Sequence, residues 1–79
     1  MKLEIITPER EIFSGDVISV KLPGQSGEFE ILNNHAAIVS TLTKGEIIIT
    51  KENTEKGNFN IKGGVIEMQE NKIVILANE

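Results

Sequence analysis

The chain is built from short runs of β-branched residues, each cut off within a few positions by a turn-forming residue. That rhythm constrains the fold more than any other feature. In Val17-Ile18-Ser19-Val20-Lys21-Leu22, apolar and polar residues alternate, so Ile18, Val20 and Leu22 are expected on one face, with Ser19 and Lys21 on the other. Side chains on a strand point alternately to its two faces, which makes this the pattern of a half-buried strand. Phe59 and Ile61 repeat it among Asn58, Asn60 and Lys62, as do Leu3 and Ile5 against Lys2 and Glu4. Glu46–Thr50 and Lys72–Leu76 are apolar at both parities, which predicts strands covered on both faces. Branching at Cβ crowds a helix but suits a pleated surface.

Turn signals separate these runs at Thr7-Pro8, Ser14-Gly15-Asp16, Pro23-Gly24, Asn33-Asn34, Lys44-Gly45, Gly63-Gly64 and Glu70-Asn71. Each offers a proline that presets φ or a residue that tolerates positive φ. The polar stretch Glu52 to Gly57 reads as a hairpin tip. No segment of helical length carries a 3.6-residue period. The expected fold is all-β: one domain over residues 1–79, an antiparallel β-sandwich or flattened barrel.

Seventy-nine residues bury only roughly 60% of the surface of the unfolded chain, so the stability margin is narrow. There is no cysteine, hence no disulfide and no thiolate chemistry. The formal net charge is −4, the eight basic residues are scattered, and Trp and Tyr are absent. A nucleic-acid surface needs clustered cations and usually aromatic platforms, so none is expected. No apolar run approaches the ~20 residues of a membrane span, and an acidic residue follows Met1 too soon for a signal peptide.

A search for chemistry finds little. His35 is the single histidine and stands without an orienting partner, so neither a metal site nor a nucleophilic triad assembles around it. Gly24-Gln25-Ser26-Gly27 lacks the Lys-Ser/Thr of a phosphate loop and opens no helix. Glu28 and Glu30 share one face of a strand, where two solvated acids are commoner than an acid–base pair. Glu9-Arg10-Glu11 reads as a charged, aggregation-resistant edge. The chain is expected to be non-catalytic, with no cofactor, metal or small-molecule ligand, and to act by binding partners.

An ordered set of residues narrows the choice of partner. Thr7-Pro8-Glu9 is followed by Phe13-Ser14-Gly15, by Val17 through Leu22, and by Pro23-Gly24-Gln25-Ser26-Gly27-Glu28-Phe29-Glu30-Ile31-Leu32. Asn33-Asn34-His35-Ala36, Leu42, Gly45, Gly63-Gly64-Val65-Ile66-Glu67 and Val74-Ile75-Leu76-Ala77 complete it. In order and spacing the chain resembles the N-terminal β-sandwich domain of the epsilon subunit of the F-type rotary ATP synthase, whose mitochondrial counterpart is called delta. The resemblance implies two small antiparallel sheets with about ten short strands in all. It implies a place at the foot of the central stalk, clamped to the gamma subunit and resting on the polar loops of the membrane rotor ring. Proton flow turns the ring, and the stalk carries torque to catalytic sites in other subunits. The implied location is peripheral, on the cytoplasmic face of a bacterial inner membrane, without insertion.

By position, Glu28, Phe29 and Glu30 match the family's ring-facing strand, and His35-Ala36 its loop near ring and stalk. Thr7, Ser40 and Leu42 match positions on the gamma side. Phe29, Ile31 and Leu42 are candidates for the interface energy, although core packing competes for Ile31 and Leu42. The sequence departs from the family in two places. The family's Pro-Gly-His-Ala-Pro is here Asn33-Asn34-His35-Ala36-Ala37, where Asn is expected to replace Gly in a left-handed conformation. Past the position of Ala77 the family usually continues into a helical hairpin that carries an inhibitory arm, while this sequence stops at Glu79. If the natural chain ends there, the resemblance implies a short form that couples without inhibiting; if it continues, the inhibitory arm lies beyond these residues. Lipoyl- or biotin-carrier domains are the alternative reading. Lys44, Lys51 and Lys56 lie near turns, but the flanking residues of a modified lysine are missing.

Overall fold

The structure is a computed structural model that describes residues 1–79. Eight strands account for nearly all of it: β1 Lys2–Ile6, β2 Glu11–Gly24, β3 Gly27–Leu32, β4 Ile38–Leu42, β5 Gly45–Lys51, β6 Lys56–Ile61, β7 Gly63–Gln69 and β8 Lys72–Asn78. The all-β expectation holds, with fewer strands than expected. Ser14-Gly15-Asp16 is no turn but lies within β2, a 14-residue strand that serves both layers of the sandwich. Its first half pairs with β1, and its second half with β3 and β5. Adjacent pairings run β1-β8-β7-β4-β2-β5-β6, and β2 returns to β1, so the sheet closes on itself as a flattened barrel.

Two further features differ from the pattern-based expectation. The pairing of β2 with β5 skips from Val17↔Lys51 to Ser19↔Thr50, which leaves Ile18 as the extra residue of a bulge. The bulge reverses the alternation, so Val17, Val20 and Leu22 are fully buried while Ile18 is 36% exposed. The ladder is also not wholly antiparallel. The first and last strands, β1 and β8, are parallel neighbours, with Leu3 beside Ile73 and Ile5 beside Ile75.

The core lies between the layers. Leu3, Ile5, Ile31, Ile47, Ile49, Ile66, Ile73 and Ile75 have no exposed surface. Each such side chain contributes about 1.5–3 kcal/mol of burial. Phe13, Phe29 and Phe59 close the rim of this core, with Phe13 and Phe59 stacked at a tilt, 5.8 Å between ring centroids.

Candidate partner-binding surfaces

In β8, Ile73 and Ile75 fill the core, but the opposite face of the strand is open. Leu76 is 52% exposed and Val74 is half-buried. The run expected to be covered on both faces is covered by this chain on one. Register shows what surrounds it. Thr41, Val65, Leu76 and Ile6 form one row across β4, β7, β8 and β1, and Val39, Glu67, Val74 and Glu4 form the next. The middle of this face is an apolar patch of Val65, Val74, Leu76 and Ile6. Two shallow grooves of about 490 and 220 Å³ meet at Val65 and Leu76. At its margin Lys72 Nζ lies 3.4 Å from Glu4 Oε1. An apolar centre with a charged rim is the anatomy of a protein interface.

The second surface is polar. Glu28 and Glu30 are exposed on the outer face of β3, where Glu28 lies beside Pro23 and Glu30 beside Lys21 of β2. Neither carboxylate is in an ion pair. Phe29 points the other way and packs against the core. His35 and Ala36 are exposed on the loop between β3 and β4. Its turn is well pinned: Asn34 takes φ 63° and its N–H donates to Asn71 Oδ1 at 2.8 Å. The left-handed residue expected at this position is therefore present. Glu28 lies near the start of β3 and His35 in the turn just past its end, with the four steps from Glu28 to Leu32 spanning about 13 Å at ~3.3 Å per residue. Of the five ring-side candidates, Glu28 and Glu30 thus share an outer face, His35 and Ala36 share a loop, and Phe29 faces inward.

The gamma-side candidates separate further. Leu42 is 2% exposed and belongs to the core. Ser40 points toward the core side of β4, half-buried beside Ile66. Thr7 is 5% exposed and holds the turn after β1. Its Oγ1 donates to the Arg10 carbonyl at 3.0 Å and accepts from the N–H groups of Glu9 (3.3 Å) and Arg10 (3.1 Å). Thr7→Val is expected to destabilise the fold by about 1–2 kcal/mol by orphaning these groups, and Thr7→Ser by much less. Urea melts of the two variants check this; equal losses would assign the effect to packing.

Sequence reasoning missed Ile6, Val65, Val74 and Leu76 as surface residues. The signal was the double apolar parity of Lys72–Leu76, which marks both faces of the strand as apolar without saying that this chain leaves one of them open.

The family model described as "ATP synthase, Delta/Epsilon chain, beta-sandwich domain" matches residues 1–79, end to end. The chain belongs to that family. Among curated relatives, an ATP synthase epsilon chain of Campylobacter hominis is 49% identical over 77 residues, covering 96% of this chain and 59% of the relative. One from Chlorobium limicola is 36% identical over 78 residues, covering 99% of this chain and 89% of the relative. The chain thus spans nearly all of one relative and about 60% of several others. A chain in the cryo-EM structure of the Euglena gracilis mitochondrial ATP synthase (OSCP/F1/c-ring) superposes with a TM-score of 0.91 at 22% identity, over 98% of this chain and 49% of that one. At that identity the likeness establishes the sandwich fold. No helix in the structure is long and apolar enough to cross a membrane. Membership of the delta/epsilon family also displaces the carrier-domain alternative.

Proposed function

We propose that this domain is a non-catalytic rotor element of an F-type ATP synthase, fixed to the gamma subunit by one surface and to the membrane rotor ring by another. The observation that carries this reading is the apolar outer face of β7 and β8, with Val65 44% and Leu76 52% exposed on a family member of ATP synthase. Torque transmission demands contacts that do not slip, and a desolvated apolar centre supplies them. In this reading gamma takes the Val65–Leu76 face. Leu42 and Thr7 support the interface only through the fold. The exposed acids Glu28 and Glu30 face the polar loops of the ring, with the His35-Ala36 loop at the margin. Rim charges of this kind set register and encounter rate more than affinity. The domain would sit peripherally, on the side of the membrane where the catalytic subunits lie.

Co-purification with the cognate gamma subunit tests the first contact: a stable complex is expected, and a chain that stays monomeric beside gamma overturns the reading. For the second contact, Glu28→Lys is expected to lower proton-coupled ATP synthesis severalfold in the assembled enzyme. Its unfolding free energy from a urea melt should match the parent within about 0.5 kcal/mol, because Glu28 is exposed and unpaired. Full synthesis rates in that variant would remove Glu28 from the ring contact.

A further inference from the structure

The sandwich has free sheet edges, and they are not alike. β6 carries Lys56, Asn58 and Asn60 exposed along its free edge, and β3 carries Glu28 and Glu30. Charges on an edge strand deter other chains from pairing with it. β4, Ile38-Val39-Ser40-Thr41-Leu42, has no charge, proline or bulge. It pairs with β7 along its full length, but on its other side it meets β2 only at Leu42↔Gly24.

The direction of the unpaired backbone follows from one bond. Thr43 N–H donates to the Pro23 carbonyl at 2.8 Å, so odd-numbered residues here aim their backbone groups at the β2 side and even-numbered ones bond to β7. β2 turns away at Gln25-Ser26, before it can reach Val39. The N–H and C=O of Val39 therefore point out of the sheet edge, and no turn or loop bond receives them. Val39 is also the most exposed large apolar residue of the chain, at 77%. A groove of about 350 Å³ runs beside this edge, between Val39-Ser40-Thr41 and the Gly24–Gly27 tip, with Phe29 in its wall.

We infer that β4 is a docking edge, to which an extended segment of a partner protein adds as a further strand. The charges beside it define the segment. From Leu22 to Thr43 the chain has no Lys or Arg, and Glu67 lies directly across from Val39 on β7. The fitting segment alternates apolar residues, packed toward Phe29, with a basic one set against the Glu67 carboxylate. A second copy pairing through its own β4 would bring only like charges to the same place. The inference rests on the gamma reading above and specifies how gamma engages: by backbone bonding at an edge beside the apolar face.

Val39→Pro deletes the outward N–H and leaves the β7 ladder whole, as proline is tolerated where an edge N–H faces solvent. Val39→Thr keeps both the N–H and the branched shape. Strand addition predicts that Val39→Pro lowers affinity for the cognate gamma subunit at least thirtyfold and Val39→Thr at most about fivefold. In the unsubstituted complex, hydrogen exchange at the Val39 amide should slow a hundredfold or more on binding, a readout that needs no variant. If gamma binds but Val39 exchanges as freely as before, or proline costs no more than threonine, the inference falls and the gamma reading stands. A concentration-dependent dimer abolished by Val39→Pro, with gamma binding unchanged, would assign the edge to a second copy and also overturn it. Absence of gamma binding in the unsubstituted chain overturns both.

Discussion

Leu76→Glu is expected to weaken binding to the cognate gamma subunit by a hundredfold or more while the sandwich stays folded. The two halves of this expectation have separate causes. Leu76 lies at the junction of the two grooves and is 52% exposed, so the free protein can hydrate a carboxylate there. In a complex the same carboxylate would be stripped of water in the middle of an apolar patch. An unpaired buried charge and a lost apolar anchor together cost about 3 kcal/mol or more, which is over a hundredfold in Kd. Leu76→Ala, which removes only the anchor, is expected to lose less. Calorimetric titration with gamma, alongside a urea melt of the free domain, separates binding from folding. Retention of affinity within threefold would move the gamma interface off this face.

Gly64→Ala is expected to be the most damaging single-methyl change in the molecule. Gly64 sits in β7 between Leu42 of β4 and Ala77 of β8. A Cβ there would collide with the Leu76 carbonyl oxygen and come within 3.0 Å of Ala77 Cα. Both are backbone atoms, so relief requires the β7–β8 ladder to part. Overpacking of this kind costs about 1–3 kcal/mol, and in a domain of this size each kcal/mol lowers Tm by about 4–8 °C. Gly15→Ala is the control. Its Cβ would meet the Phe13 ring at 3.3 Å, the far end of a side chain that can rotate away. Scanning calorimetry should show a drop of about 10 °C or more for Gly64→Ala and little for Gly15→Ala. Equal midpoints would mean that the β7–β8 ladder yields more easily than its packing implies.

The sequence disclosed the parity of most strands but not where parity slips. Leu3, Ile5, Phe59 and Ile61 point as their alternation requires. Ile18 does not, because a bulge leaves no mark in apolar pattern until the partner strand is known. Strand direction is likewise invisible to alternation, which assigns faces and not orientation, so the parallel β1–β8 pair could not be read. Glycine near a predicted turn proved ambiguous. Gly64 serves close approach inside a strand, while the neighbouring Gly63 takes φ 158°, which L side chains rarely adopt. For the surfaces, sequence placed Glu28, Glu30, His35 and Ala36 where they are accessible. It placed Thr7 and Leu42 on a binding surface when their own hydrogen bonds and packing bury them. A position matched by resemblance names a neighbourhood, whereas exposure is settled only by the register of the strands around it.

The parallel pairing of β1 with β8 also sets a schedule. β8 lies between β1 and β7, so the first strand synthesised cannot acquire this inner neighbour until the eighth has been made. Until then β1 has only the first half of β2 beside it, and the inward faces of Leu3 and Ile5 lack Ile73 and Ile75. Contacts that span nearly the whole chain slow folding, because the entropy of closing the loop must be overcome before they form. The core therefore closes late, around β8, and the inward faces of β1 stay uncovered until that strand is in place.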